Sequence, residues 1–446
     1  MTESNSKIPA MMVSKGSVIG VDSFTEITPE KIQLKPVNAT DVFKPNGVNK
    51  VSFRIPAYSN SFMDCGSSFI TFKASYDTTT SPTADHCMKM TQSAPVFNRM
   101  TVKTSSGLVI DDITNYGVLS QLNTAIMPYS QAVSPLLGRS SNQIENGVET
   151  AADSKTTNAL EDGVYYVHKI NAGVLSSMTK KYLPLHLMDG GSGFCLELDL
   201  YLNATSAALK MEGVVLTPML TVSDVVYNME IRRIDESLCK KFNQIVCDDD
   251  AEIRIPFTTM HSHTNLLKTG QNQLKIHESA TNLKRIWNVF MKSTEETEAS
   301  STDAYVLRGG SKTSNTNHVI QSFNGRIGSK WIYNSPIDSQ SQALFHVKNA
   351  LGCQDKLLVC ESETDAKIPK YYQRRYVNVL PFEYTNEDFV NGISSSTPVE
   401  LYITMPAGYT SNDLMCFSFT ELSYDLSIKN GQVRYVEQKP GSNSVY

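Results

Sequence analysis

A few short stretches of this 446-residue sequence contain residue types that could do chemistry. Residues 309–313 read GGSKT and suggest a phosphate loop, but that loop needs glycines where Ser311 and Val306 stand. Residues 190–194 read GGSGF and approach the nucleophile elbow of serine hydrolases, yet Phe194 takes the place of its last glycine. We therefore expect a loop tip at the first stretch and a turn entering a strand at the second.

Two other stretches contain metal-ligand residue types. His261 and His263 in MHSHT would face the same side of a strand, but no third ligand has a suggestive spacing. Cys239 and Cys247 precede three aspartates at 248–250, yet the alternating ligands and the glycine turn of a calcium loop are missing. We assign no catalytic, cofactor-binding or metal-binding residue from the sequence, we predict no cofactor, and we expect no enzymatic activity.

We also expect no processing signals in this sequence. Asn38 and Asn203 each begin an Asn-Ala-Thr triplet, the acceptor pattern for N-glycosylation. The N-terminal residues show no apolar segment behind a basic one, so we expect no export signal, a coincidental match at both asparagines, and a protein that stays inside the cell that makes it. The eight cysteines contain no C-x-x-C pair, which favours buried free thiols over disulfides.

Composition excludes several classes of protein. Hydrophobic residues make up 40% and charged residues 19% of the chain, as in a soluble globular protein. No apolar run approaches the roughly 20 residues of a membrane span. The formal net charge of -5 argues against a phosphate backbone as the main partner, so we expect no strong nucleic-acid binding. The length fits two domains of about 200 residues each.

The sequence shows signs of an internal duplication. VSFRIP at 51–56 and AEIRIP at 251–256 share a phrase that ends in proline, about 200 residues apart. Three further pairs fall at nearly the same offset: Pro184 and Pro381, Tyr201 and Tyr402, Tyr227 and Tyr424. A duplicated domain is the simplest cause.

The elements of each half follow from periodicity. Alternating apolar and polar residues predict half-buried strands at 194–203 and, in the same phase, at 399–405. The pair 225–231 and 422–428 closes the two halves. Further strands are predicted at 68–74, 96–103, 180–184, 273–277, 285–291 and 375–380. Residues 112–126 are predicted to form a helix, because apolar residues recur there at helical spacing.

These elements predict an all-β fold of two tandem eight-stranded antiparallel jelly-roll sandwiches, a double jelly roll, with few short helices. The predicted divisions are an N-terminal arm at 1–46, a first jelly roll at 47–236, a linker at 237–250, a second jelly roll at 251–436 and a C-terminal tail at 437–446. The long polar segments 139–162 and 293–318 are predicted to be surface excursions at non-equivalent places.

Four segments give the chain a family resemblance: VSFRIP, SNSFMDCGSSFITFKA, VFNRMTVKTSSGLVIDDITNYGVLSQL and LYITMPAGYTSNDLMCFSFTELSYDLSIKNGQV. With the tandem pattern, they resemble the double jelly-roll major capsid proteins of icosahedral DNA viruses, and most of all those of polinton-like viruses and virophages. The resemblance spans residues 45–435. It implies a structural protein of the virion capsid, made and assembled inside the host cell.

The resemblance also implies partners. Three copies of the chain would form a homotrimer, a pseudo-hexameric capsomer that tiles an icosahedral shell together with neighbouring capsomers, penton proteins and other minor capsid proteins. The N-terminal arm, with its thinly spread lysines, would face the shell interior, and contact with an internal membrane stays an open question. A second hypothesis is a carbohydrate-binding or carbohydrate-cleaving tandem β-sandwich, although Trp287 and Trp331 are the only tryptophans available as sugar platforms.

Overall fold

The structure is a computed structural model, and its two halves are described between residues 28 and 437. The described residues are 28–77, 86–88, 96–126, 164–177, 182–188, 193–204, 209–211, 219–233, 236, 240, 253–278, 282–292, 320–352, 376–382, 384–386, 389–391, 398–407, 409, 413–429 and 432–437. The predicted excursions at 139–162 and 293–318 and most of the predicted linker lie outside these ranges.

Strands dominate the first half. They are β1 (Thr28–Leu34), β2 (Val42–Phe43), β3 (Lys50–Pro56), β4 (Ser61–Asp77), β5 (His86–Met88), β6 (Phe97–Thr104), β7 (Val109–Thr114), β8 (Val164–His168), β9 (Leu183–Pro184), β10 (Phe194–Leu202), β11 (Leu209–Met211) and β12 (Met219–Arg233). Within the described part of this half, the strands are interrupted by the helices α1 (Tyr116–Ala125) and α2 (Gly173–Ser177) and by a 3-10 turn at Leu185–Leu187.

Strands also dominate the second half. Its strands are β13 (Ile253–Leu266), β14 (Gly270–Ile276), β15 (Leu283–Lys292), β16 (Ser322–Ile327), β17 (Lys330–Trp331), β18 (Val377–Pro381), β19 (Tyr384–Asn386), β20 (Phe389–Asn391), β21 (Val399–Met405), β22 (Leu414–Lys429) and β23 (Gln432–Glu437). One helix, α3 (Gln340–Leu351), is described there, and it follows β17 as α1 follows β7.

The two halves have the same strand order. In the first half, one sheet runs β1-β12-β4-β8 and the facing sheet runs β3-β10-β6-β7; in the second half, the corresponding sheets run β13-β22-β15-β18 and β14-β21-β16-β17. All of these pairings are antiparallel. When the eight strands of the two facing sheets of each half are counted in chain order, the sheets read 1-8-3-6 and 2-7-4-5, the winding of a jelly roll. The predicted fold class is confirmed.

Alternation of side chains builds the cores, as the sequence predicted. On β21 the apolar side chains at 399, 401, 403 and 405 are buried, while the three residues between them are half-buried. β12 buries Val225, Tyr227, Met229 and Ile231. The buried apolar residues of both rolls belong to one continuous cluster, so the two cores also pack against each other.

The shared RIP phrase does not mark equivalent strands. Pro56 ends β3, the second strand of its roll, whereas Pro256 lies in β13, the first strand of the other roll. This landmark of the duplication was wrong, because any half-buried strand accommodates the phrase: Ile55 and Ile255 are buried and the arginines before them are exposed. The two tyrosine pairs do lie on equivalent strands, β10 with β21 and β12 with β22.

The segment predicted as an N-terminal arm contributes to the first sheet. β1 pairs with β12 from Thr28 to Leu34, and Ile32 and Leu34 pack against the core. The prediction of an N-terminal arm at 1–46 is therefore wrong for β1, where every second residue turns inward. Residues 1–27 lie outside the described ranges.

The second roll uses an additional strand, β23, to complete one of its sheets. In the first roll, β4 accompanies β12 from Met219 to Arg233. In the second, β15 covers β22 only as far as Leu422, and β23 pairs with the remaining part from Tyr424 to Lys429. The C-terminal strand thus replaces the missing half of a long strand.

The predicted helix begins later than expected. Residues 112–114 belong to β7, and Asn115 adopts a positive φ of 53° between that strand and α1. This left-handed residue breaks the strand and lets the helix start at Tyr116. Helix α3 was not predicted, although Ser339 caps its first turn by accepting a hydrogen bond from the Gln342 amide and Gly352 ends it with a φ of 58°.

Candidate assembly surfaces

Among the stretches singled out for chemistry, residues 190–194 form a turn where they are described. Gly193 has a φ of 76°, and Phe194 begins β10 without an intervening helix. This is the predicted turn entering a strand, and it lacks the strand-to-helix geometry of a nucleophile elbow. GGSKT at 309–313 and the Cys239–Asp250 segment lie outside the described residues, apart from Lys240.

The structure brings His261 and His263 together on β13 and supplies a partner that sequence reasoning missed. His261 Nδ1 lies 2.8 Å from Glu278 Oε1, and His263 Nε2 lies 3.0 Å from Glu278 Oε2. Burial acts to raise the pKa of Glu278, but the hydrogen bonds from both imidazoles outweigh it and lower the pKa to about 2. Within the described ranges, no group of three or more His, Cys, Asp or Glu side chains has the geometry of a metal site.

The two asparagines of the glycosylation triplets make local hydrogen bonds. The Asn38 side chain accepts a hydrogen bond from the Ser52 amide at 2.9 Å and donates one to the Lys50 carbonyl at 3.0 Å. Asn203 Oδ1 accepts one from the Ala204 amide at 2.9 Å. The Asn38 amide thereby ties the segment after β1 to β3, which gives that residue a structural reason to be asparagine.

The described thiols agree with the prediction of free cysteines. Cys65, Cys195 and Cys416 are buried thiols that form no disulfide. Burial raises the pKa of Cys416 to about 12, so its thiol stays protonated and unreactive at neutral pH. These three cysteines serve as small apolar core residues.

The outer face of the first roll's β3-β10-β6-β7 sheet holds a buried carboxylate. Asp199 on β10 is fully buried, and its Oδ2 lies 2.8 Å from Lys50 Nζ and 3.0 Å from Lys103 Nζ. Ser52 Oγ donates to its other oxygen at 2.7 Å. Burial acts to raise the pKa of Asp199, but these hydrogen bonds lower it overall. Three neighbouring strands are thereby fastened side by side.

The corresponding face of the second roll combines charge with exposed aromatic surface. Arg326 Nε on β16 donates to Glu400 Oε2 on β21 at 3.0 Å, and the Tyr402 hydroxyl donates to the same oxygen at 2.9 Å. The Trp331 side chain packs on Tyr402 with ring centroids 4.9 Å apart, and Trp331 is 44% exposed. Arginine, tyrosine and tryptophan are the residue types enriched in protein interfaces, so this face is suited to subunit contact.

The two rolls meet through side chains as well as through their cores. β7 and α2 of the first roll pack against β13 of the second. Thr114 Oγ1 and Ser262 Oγ are 2.6 Å apart, and Asn115 Nδ2 donates to the Thr264 hydroxyl at 3.2 Å. The junction holds the two sandwiches in one orientation.

Solved structures with the same arrangement cover nearly the whole chain. The Faustovirus major capsid protein superposes with a TM-score of 0.61 at 8% identity, over 92% of this chain and 92% of its own. A chain of the Sputnik virophage gives a TM-score of 0.58 at 9% identity, over 94% of this chain and 89% of its own. The mavirus major capsid protein gives 0.50 at 10% identity, over 92% and 90%.

At these identities the likeness establishes the fold: the chain has a double jelly-roll fold like that of the Faustovirus and mavirus major capsid proteins. The resemblance drawn from the sequence is confirmed at this level. No protein-family model matches the chain, and no curated protein matches it. None of the described helices is long and apolar enough to cross a membrane.

Proposed function

We propose that this protein is the major capsid protein of an icosahedral DNA virus. The observation that carries the proposal is the full-length match: both rolls, in order and with the same winding, superpose on the Faustovirus and mavirus major capsid proteins over about nine tenths of each chain. A shared fold does not itself define a function, but a tandem repeat of one sandwich gives a subunit two similar flanks and suits a building block.

The geometry explains how such a block would work. Two similar sandwiches side by side give one subunit two similar flanks, so a ring of three subunits has six similar rolls and a nearly hexagonal outline. The continuous apolar cluster and the junction contacts make the pair of rolls one stiff unit. The trimer then tiles a shell through flanks that repeat around it.

Partners and location follow from the same proposal. The chain binds copies of itself, first as a homotrimer and then between capsomers, with penton and minor capsid proteins at special positions of the shell. It resides in the virion after assembly in the host cell, and its role is structural and not enzymatic. The divisions at 47–236 and 251–436 are proposed as the two rolls, with residues 28–43 added to the first because β1 and β2 pair with β12.

Native mass and particle shape test this proposal together. We expect the purified chain to have a mass of about 148 kDa, three times the 49.4 kDa of one copy, and to appear as compact, roughly hexagonal rings in negative stain. A stable monomer at assembly concentrations would contradict the proposal.

The carbohydrate-binding alternative has one observation in its favour, the exposed Trp331 beside Tyr402. However, the Arg326 guanidinium lies 5.5 Å from the Trp331 ring centroid and 5.3 Å from that of Tyr402, where a sugar would have to stack. Retention of a monomer on a glycan column, abolished by Trp331→Ala, would support this alternative over a capsid role.

A further inference from the structure

The junction between the two rolls contains a buried carboxylate. Asp111 on β7 is 1% exposed, and its Oδ2 accepts a hydrogen bond from the Val174 amide at the start of α2. Its Oδ1 lies beside the Thr259 hydroxyl of β13, and both atoms are buried without a hydrogen-bond partner among the described residues. A half-satisfied buried carboxylate is costly when charged, so its protonation state affects how well the junction closes.

An imidazole faces the same place from the other roll. His261 lies two residues beyond Thr259 on β13, so both side chains project from one face of the strand, and its charge interacts with Asp111 and Asp112. Its Nδ1 is held at 2.8 Å by Glu278. The hydrogen bond to Glu278 raises the pKa of His261, and the two aspartates of β7 add to this effect.

The other charged groups around the junction form hydrogen bonds with neighbouring side chains. Asp112 on β7 is bound by Arg99 of β6 at 2.7 and 2.6 Å. Glu278 is shared by His261, His263 and the Thr420 hydroxyl of β22. Helix α2 contributes only Gly, Val, Leu and Ser residues. Among the described residues, Asp111 and His261 are titratable groups of different rolls that interact across this junction.

We propose that the roll junction is a proton-controlled latch: it is closed most firmly when Asp111 and His261 both carry a proton, and it loosens when both protons are lost. A protonated Asp111 is neutral and tolerates burial, while a protonated His261 is attracted to Glu278 and, across the junction, to Asp112 of β7. Loss of either proton places an uncompensated charge at Asp111 or removes the attraction across the junction. The latch is a property of one chain, independent of the proposed trimer.

The direction of the effect follows from both groups. Burial raises the pKa of Asp111 from 3.8 to about 6, so the closed junction gains stability at low pH that is lost as pH rises through this range. The pKa of His261 is also raised, so its contribution is present below 6.5 and is lost as pH rises through the folded value. Both groups make the junction looser at pH 7.5 than at pH 5.5.

Hydrogen exchange on the intact chain tests the latch. After correction for the intrinsic pH dependence of exchange, we expect peptides covering β7 and β13 to open about fourfold more often at pH 7.5 than at pH 5.5 from Asp111 alone, with His261 adding to this. A peptide covering β21, away from the junction, should show no such change. Equal corrected exchange at both pH values in β7 and β13 would overturn the proposal.

Two variants and a control assign the effect. Asp111→Asn removes the buried ionisation and should abolish most of the pH dependence; His261→Gln should reduce the remainder. His277→Gln is the matched control, because His277 is exposed beside Glu278 and should leave the dependence unchanged. If Asp111→Asn fails to fold, His261→Gln still decides, since its side chain is 41% exposed and tolerates substitution. Wild-type pH dependence in His261→Gln and in every folded Asp111→Asn sample would reject the latch.

Discussion

Tyr201 and Tyr402 lie on corresponding strands of the two rolls, and each ring lies beneath an arginine guanidinium. Arg99 is 5.5 Å from the Tyr201 centroid, and Arg326 is 5.3 Å from that of Tyr402. Both arginines come from the neighbouring strand in the sheet, β6 or β16. The duplicated fold thus repeats a cation–π pair on its outer faces, where side chains are free to differ without disturbing the core.

Two residues before Tyr201, Asp199 provides the first prediction. Asp199→Asn should destabilise the protein by about 1–3 kcal/mol, because Lys50 and Lys103 would face a neutral amide while Ser52 loses its charged acceptor. The expected loss of stability is modest because both lysines are about one third exposed. Urea unfolding monitored by circular dichroism measures the difference.

Asp112→Asn is the matched control for this substitution. Asp112 forms a bidentate pair with Arg99, but both side chains are 40% or more exposed. Its loss should cost at most about 1 kcal/mol. Equal losses in the two variants would mean that burial does not strengthen the Asp199 cluster.

The lowered pKa of Glu278 predicts that the protein loses stability at acid pH. This direction is opposite to that of the proposed latch, which is most stable at low pH. Burial works against the charged form, but the hydrogen bonds from His261 and His263 lower the pKa of Glu278 from 4.5 to about 2. Its contribution is therefore present above 4.5 and is lost as pH falls toward 2. In thermal melts the wild type should lose stability through that range, and Glu278→Gln should flatten the loss.

The strand pattern could be predicted from sequence because alternation is local. The apolar positions of β21 and β12 are buried as expected, since a slip of one residue would expose all of them. The winding could not be predicted, because the pairing of β1 with β12 or of β13 with β22 joins residues from opposite ends of a roll. For the same reason the RIP phrase was assigned to equivalent strands.

The polar clusters could not be predicted from the sequence for a related reason. His261 and His263 stood out by spacing, but Glu278 lies beyond a turn and only the return of β14 brings it back to them. Asp111 directly precedes the helix predicted at 112–126 and had no assigned role, because its burial depends on α2 and on β13 of the other roll. Helix α3 could have been predicted from the sequence, because Ser339 and Gly352 are residue types typical of the two ends of a helix.

The two tryptophans provide a spectroscopic prediction. Trp287 is 1% exposed and its Nε1 donates to Glu421 Oε2 at 3.0 Å, whereas Trp331 is 44% exposed. A Trp331→Phe variant should fluoresce at short wavelength and resist acrylamide quenching, and a Trp287→Phe variant should show the reverse. Trp287→Phe should also cost about 1–3 kcal/mol, because Glu421 loses a buried donor and keeps only Arg285 at 3.5 Å among its described partners. Similar spectra for both variants would contradict the assigned burial.

Gly173 at the start of α2 should not tolerate a side chain. Its φ is 75°, and a Cβ would lie 2.6 Å from Asp111 Oδ2, which must stay close to accept from Val174. Gly173→Ala therefore combines backbone strain with a collision at the roll junction, and we expect a loss of about 2–4 kcal/mol. Gly352→Ala is the control: its φ is 58°, but nothing lies within 4 Å of the added carbon, so only strain of about 1 kcal/mol is expected. Thermal unfolding of both variants measures the difference, and equal losses would show that the close approach of Asp111 to α2 does not constrain this position.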